Sequence, residues 1–583
     1  MSPSTTIFPH VLLATTLTRT RVERSLREAL QSSNRYGIDE CCARICGVDA
    51  LQLGPFARIF AHLLICNLEK HIFEFFDKGL DDKAFPFRLV TTKKNPGRFQ
   101  TELTIHPNIP SWDQGNAGFL RDLKPSECDS FIKEQWRVFL PKFENEHQQF
   151  EEQQIMPWYK YDARELEGSS STMDSTNTSS TGGIGGGHSD VSKVAIHDGH
   201  HAFCQQVHGG SEPETCFVAV KRLKTKKRSD FDKEVTMLRK LGGKPHTVTL
   251  LGTFYHNGAY SLMFPWAECD LCGWWGRSQD PPSMSDPALG RWVSAQCFGL
   301  ITALGWIHNP GGDVLDAQDQ ELFGRHGDIK PENILWYNWG AWGQLVLSDF
   351  GLTELNHKLT CTNVENGKVL NTTTYAPPES ILPDHRISRI IDVWALGCVY
   401  LEFATWLLRG GKGISEFQTR RITSYLDDER ISNDNFWTLK MDKDSNGEYT
   451  GTRALDVKPE VIKWVEDLRR HGRANQYILD FLDIIQNDML VIEKGNRKTA
   501  SGLVGKFKAL DGKCKQNQDG YCAAPVDGRP TPKSAISKLP QEVPVRHLSV
   551  QAEELISRRT ATSRLLELPP FKGPSPLLSP LAS

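Results

Sequence analysis

Two short segments constrain this chain more than anything else in it. They are Asp328-Ile329-Lys330-Pro331-Glu332-Asn333 and Ser348-Asp349-Phe350-Gly351, with sixteen residues from Asn333 to Asp349. The first offers a carboxylate, an ammonium two residues on, and an amide three beyond that. These groups suit phosphoryl transfer. Asp328 can accept the proton of an incoming hydroxyl, Lys330 can neutralise charge on a moving phosphate, and Asn333 can hold a divalent cation through its amide oxygen. Apolar Ile334 and Leu335 predict a short strand after the loop, and Leu345 to Leu347 predict another before Ser348. An aspartate at a strand end, followed by a flexible glycine, makes a good magnesium ligand. Either segment alone occurs by chance; their spacing ties them together.

Upstream, Gly182-Gly183-Ile184-Gly185-Gly186-Gly187-His188-Ser189-Asp190-Val191 runs into alternating Val191, Lys193 and Ala195, a strand pattern. Phe217-Val218-Ala219-Val220-Lys221 is a second strand, placing Ala219 and Lys221 on one face and Val218 and Val220 on the other. The histidines between these strands, His197, His200, His201 and His208, lack a fixed ligand spacing and read as solvated loop. A helix starts near Ser229, with Phe231, Val235 and Leu238 as its buried stripe and Gly242 as its stop. Glu234 lies beside that stripe, where it could face Lys221. Leu262 to Ala267 reads as a buried strand leading into a connector, and Arg291 to His308 as an apolar helix.

Taken in order, these segments resemble eukaryotic protein kinases of the serine/threonine type, similar to kinase-like proteins of filamentous fungi. The resemblance covers about residues 182 to 515. Thr372-Thr373-Thr374-Tyr375-Ala376-Pro377-Pro378-Glu379 resembles the end of an activation segment, Asp392-Val393-Trp394-Ala395-Leu396-Gly397 the central buried helix, and Asn496-Arg497 the far end of the domain. Two departures stand out. Gly327 replaces the usual arginine before Asp328, and Ser189 or Asp190 falls where a third loop glycine usually lies.

The resemblance implies an α+β, bilobal fold, with a small β-rich lobe, a larger helical lobe and ATP held between them. Gly185, Gly186, Gly187 and Val191 would cover ATP, and Ala219 would leave room for its base. Pro265 would offer a carbonyl and Ala267 an N–H to the ring, with Phe264 as gatekeeper. Lys221, oriented by Glu234, would reach the phosphates, while Asn333 and Asp349 bind Mg2+. Asp328 would orient a serine or threonine hydroxyl of a protein substrate, and Lys330 would stabilise developing charge. Thr372 would brace Asp328 and Lys330, Asp392 would tie down the catalytic-loop backbone, and Arg497 would pair with Glu379. Gly327 could not clamp an activation-segment phosphate on Thr353, Thr360 or Thr362, so activity is expected not to require one. The alternatives are a pseudokinase scaffold, favoured by the altered glycine loop, and a small-molecule kinase, disfavoured by the Thr372 to Glu379 segment.

At 583 residues the chain is too long for one domain. Residues 1–165 read as a helical region, with dense apolar positions from Ala50 to Phe76 and from Phe131 to Phe143, that packs on the next domain or on a protein partner. Residues 166–181 read as a flexible Ser/Thr/Gly linker, which predicts that the kinase domain, 182–515, stands independently. The Pro/Ser-rich stretch 523–583 is expected to be a disordered tail. A net charge of -3 argues against a nucleic-acid or membrane-surface role. Ile390 to Leu408 approaches membrane-span length, but Asp392 and Glu402 within it favour a buried soluble helix. Pro9 and His10 interrupt the only apolar run near the start, which therefore does not read as a signal peptide. Fourteen scattered cysteines suit a reducing compartment, cytoplasmic or alternatively nuclear, and Cys269-x-x-Cys272 lacks the second pair of a zinc site.

Overall fold

A computed structural model describes residues 7–30, 36–47, 53–95, 98–105, 123–160, 184–186, 189–203, 216–277, 279–283, 287–310, 322–350, 354–357, 374–381, 388–425, 428–443, 449–526 and 541–543. They fall into two compact units. The first takes those within 1–243, 248–268 and 337–343; the second takes the remainder.

The first unit begins with helices α1 (His10–Thr16), α2 (Arg19–Leu30), α3 (Ile38–Cys46), α4 (Ala57–Cys66), α5 (Ile72–Lys78) and α6 (Pro125–Glu134), plus a hairpin of β1 (Phe87–Asn95) and β2 (Arg98–Ile105). From Ala57 onward the dense apolar run supplies two helices, α4 and α5. Asn67, at φ 57, ends α4 in a left-handed turn. The Asp82 carboxylate starts α4 from a distance, accepting the Arg58 and Ile59 N–H groups at 3.1 and 2.9 Å. Leu26, Ile45, Ile59, Phe60, Ile72, Phe75, Phe87 and Phe131 form the core. Gln135, wholly buried, is satisfied there by accepting the Phe87 N–H and donating to the Phe87 carbonyl.

A separate core lies under a sheet built from β3 (His147–Gln149), β4 (Trp158–Lys160), β5 (Ile184–Gly186), β6 (Ser189–Ile196), β7 (Cys216–Leu223), β8 (Gly252–His256) and β9 (Ala259–Pro265). The order is β3-β8-β9-β7-β6-β4, and β5 also pairs with β6. Phe143, Met156, Val194, Ile196, Val218, Val220, Phe254 and Met263 fill this core, with Phe150 and Trp158 packed against it. This departs from the boundary expected at 165. Trp158 pairs with Ile196 and Lys160 with Val194, and Ile184 then pairs with Val191 on the same strand. The strands on either side of residues 161–183, which lie outside the described residues, thus pair with one and the same strand.

The histidine insertion also differs from its sequence reading. His200 and His201 are buried. The His200 Nε2 accepts the His10 N–H at 3.1 Å, so its Nδ1–H donates to the Pro141 carbonyl at 2.9 Å. Burial, aided by the Arg58 charge, pushes its pKa down to about 4 from 6.5. A group with a depressed folded pKa contributes stability above its unfolded value and loses it as pH falls towards the folded one. Lowering the pH from 6.5 to 4 should thus cost the first unit on the order of 2–3 kcal/mol through His200. In thermal unfolding at pH 7, 5.5 and 4.5, His200→Gln should be less stable at pH 7, and its deficit should shrink towards pH 4.5.

In the second unit the short α8 (Leu271–Gly276) comes first, and helix α9 (Pro287–His308) and the long α10 (Ile390–Arg421) carry the core, through Leu300, Ile301, Leu304, Val393, Leu396, Val399 and Phe403. By length and apolar content α10 could cross a membrane, but 94% of its most apolar window is buried inside the protein. Gly410 kinks it at φ 69, where a Cβ would lie 2.5 Å from the Gln279 carbonyl oxygen. Strands β10 (Cys269–Asp270), β12 (Ile334–Tyr337) and β13 (Gln344–Leu347) form a small sheet, while β11 (Leu322–Arg325) pairs with β14 (Glu354–His357). The expected strands at Ile334 and Leu345 are β12 and β13. None of the twelve described cysteines forms a disulfide with another described cysteine.

Candidate active site

In the first unit, β7 alternates as its sequence requires. Val218 and Val220 enter the core, and Ala219 and Lys221 take the opposite face. Cross-strand register adds neighbours to that face: Val191 lies opposite Lys221, and Phe264 opposite Ala219. Helix α7 (Arg228–Lys240) buries Phe231, Glu234, Val235 and Leu238. It presents Glu234 to β7, and the Lys221 Nζ donates to Glu234 Oε1 at 2.8 Å with both side chains buried. Gly185 and Gly186 pair with Asp190 and Ser189. Gly187 lies outside the described residues. Pro265 closes β9, and its carbonyl accepts the Tyr337 hydroxyl at 3.2 Å, a partner the sequence did not announce. Ala267 follows in the connector, half-buried.

The second unit assembles the loop after β11. The Lys330 Nζ sits 2.8 Å from Asp328 Oδ2. The Asn333 Nδ2 donates both to that oxygen, at 2.9 Å, and to the Asp328 carbonyl, at 2.7 Å. With the amide N–H bonds so used, the Asn333 oxygen is the atom left to face a cation. The Asn333 carbonyl accepts the Ser348 N–H at 2.9 Å, which brings Asp349 beside the loop. Asp349 is exposed at φ 60, a left-handed turn at the end of β13, and Phe350 is buried against His326. These two oxygen donors fit a hard divalent cation.

One buried carboxylate holds the loop in shape. Asp392, on α10, accepts the His326 and Gly327 N–H groups, each at 2.9 Å, and lies 2.9 Å from His308 Nε2. Burial opposes its ionisation, yet His308, His326 and the Gly327 N–H together hold its pKa below the usual aspartate value. His326 in turn reaches the Ser348 carbonyl at 2.9 Å, linking the loop to β13. Sequence reasoning missed both histidines, because neither carries a spacing signal. Gly327 takes φ 84, a left-handed conformation that a side chain there would strain. Farther on, Arg497 grips Glu379 with two bonds, at 2.7 and 3.0 Å, as expected. Breaking so buried a pair costs about 3–5 kcal/mol. Thr372, Thr353, Thr360 and Thr362 lie outside the described residues.

Residues 199–424 match the protein kinase domain family. With the paired Lys221 and Glu234, and with the Asp328 loop tied to Asp392, this match gives the chain a protein kinase domain similar to those of fungal kinases. Its fold is α+β: a β-sheet lobe and a helical lobe, preceded by a mostly helical region. Among relatives, the chain is 26% identical to the meiotic mRNA stability protein kinase SSN3 of Saccharomyces cerevisiae, over 33% of this chain and 33% of that protein. It is 26% identical to the serine/threonine-protein kinase KDX1 of the same yeast, over 35% and 44%. The CTD kinase subunit alpha of Schizosaccharomyces pombe is 30% identical, over 32% and 28%. The chain thus spans less than half the length of each of these relatives.

Proposed function

We propose that this protein transfers the γ-phosphate of ATP to serine and threonine hydroxyls of protein substrates. The observation that carries the reading is the Asp328 carboxylate, held at once by Lys330 at 2.8 Å and Asn333 at 2.9 Å. Asp328 orients the attacking hydroxyl and accepts its proton, and Lys330 offsets charge as the phosphoryl group moves. Lys221, fixed by Glu234, positions the nucleotide phosphates; Val191, Ala219 and Phe264, on the same face, pack the base. The Pro265 carbonyl keeps a second lone pair beyond the one used by Tyr337, and Ala267 offers its N–H. Asn333 and Asp349 would hold a magnesium ion, which would supply counter-charge for the phosphates. The chain's own contribution is positioning and electrostatics, with no covalent intermediate.

The relatives named as serine/threonine kinases support this choice of hydroxyl, and the reading places the protein in the cytoplasm or nucleus. A scaffold reading draws on Ser189 and Asp190 in the glycine loop. The two separate in one experiment. ATP with magnesium should raise the unfolding temperature of wild type, because a ligand bound only to the folded state stabilises it. Lys221→Ala should lose most of that rise, and should lower phosphate transfer to casein by on the order of 10²-fold or more. A wild type that gains stability from ATP yet transfers nothing would be a scaffold.

A further inference from the structure

We propose that Asp434 and Trp437 form a built-in brace that holds the segment Thr374–Glu379 in place without any phosphate. The inference rests on the protein-kinase reading, in which that segment shapes the groove for the protein substrate. Both residues lie past residue 424, where the match to the kinase domain family ends.

Three consecutive residues of the segment are fixed by three different partners. The Thr374 hydroxyl donates to Asp434 Oδ1 at 2.7 Å. The Tyr375 hydroxyl donates to Glu402 Oε2, on α10, at 2.9 Å. The Trp437 indole N–H donates to the Ala376 carbonyl at 2.8 Å, with Trp437 buried. One arginine ties these anchors together. Arg421 donates to Glu402 Oε1 at 3.1 Å and to the Asp434 carbonyl at 3.2 Å. Its guanidinium lies 4.2 Å from the ring centres of both Phe417 and Phe436. Lys458 then donates to the Arg421 carbonyl at 2.6 Å. The network is built from unmodified side chains and backbone carbonyls, although the buried Arg421 Nη1 has no hydrogen-bond partner among the described residues.

The charges explain why a phosphate has no place in the brace. Asp434 and Glu402 are the acceptors facing Thr374 and Tyr375, so a negative group there would meet carboxylates. In the catalytic loop, Gly327 offers no side chain, and its φ of 84 resists one. Thr374 is therefore a position where added negative charge should release the segment, and Asp434 and Trp437 are positioning residues that act on the substrate groove through it.

Hydrogen exchange on the full chain tests this independently of activity. The peptide covering residues 374–381 should exchange alike in untreated and phosphatase-treated wild type. It should exchange about tenfold faster in Asp434→Ala, Trp437→Phe and Thr374→Glu. Asp434→Asn keeps an acceptor for Thr374 and should restore protection, while exchange in the helix Ala500–Gln516 should stay as in wild type. Thr374→Val, which removes only the hydroxyl, serves if Trp437→Phe fails to fold. With casein as substrate, Asp434→Ala should raise the KM for casein and leave the KM for ATP unchanged. Unaltered exchange in Asp434→Ala and Thr374→Val would overturn the brace, as would deprotection of wild type by phosphatase. Absence of transfer to casein by wild type would contradict the kinase reading instead, and the exchange result would still decide the brace.

Discussion

Asp349→Asn should lose phosphoryl transfer by at least about 10²–10³-fold while leaving the fold unchanged. The loss follows from charge. A neutral amide replaces the carboxylate that would hold magnesium, and the phosphates lose their main counter-charge. The intact fold follows from geometry. Asp349 is exposed, and asparagine accepts its left-handed φ of 60 at least as readily as aspartate does. Initial rates with casein and thermal unfolding of both proteins check the two halves. Full activity in the variant would remove Asp349 from the site; a large drop in unfolding temperature would make it a structural residue.

The second large effect concerns where the chain can be cut. A chain starting at residue 166 should be insoluble or unfolded, whereas one starting at 141 should fold. The helical core and the sheet core are separate clusters, the first ending at Phe139 and the second starting at Phe143. A cut at 166 strips Phe143, Phe150, Met156 and Trp158 from the sheet core, and removes β3 and β4 from its sheet. At about 2 kcal/mol for each large apolar side chain, that loss rivals the whole stability of a typical domain. A cut at 141 gives up the bond from the His10 N–H to His200, the Arg88–Glu151 ion pair and the contacts around them. Soluble yield and thermal unfolding of the two truncations compare them. Equal stability of both would mean that residues 141–165 are dispensable to the sheet.

That cut was illegible in the sequence for a physical reason. Strands β3 and β4 are three residues long, too short to show a period of two, and their partners lie up to 106 positions away. The serine and threonine run after them looks the same whether it joins two bodies or interrupts one sheet edge. The residues of the candidate site, by contrast, carry local signals. Lys221, Glu234, Asp328, Lys330, Asn333 and Asp349 each lie on a short element whose pattern or spacing survives in sequence. The Glu379–Arg497 pair formed as expected because both ends carried motifs. What stayed hidden depends on tertiary neighbours alone: His200 reads as a loop histidine until Pro141 and His10 surround it. Likewise, nothing in the spacing of Tyr337, His308 or Trp437 points to Pro265, Asp392 or Ala376.

Phosphoamino-acid analysis, after incubating the full chain and casein with γ-labelled ATP and magnesium, tests the central claim most directly. The account predicts label on phosphoserine and phosphothreonine, reduced by about 10³-fold or more in Asp328→Asn, which cannot accept the hydroxyl proton. Label on phosphotyrosine, label undiminished in Asp328→Asn, or no transfer by wild type would contradict it.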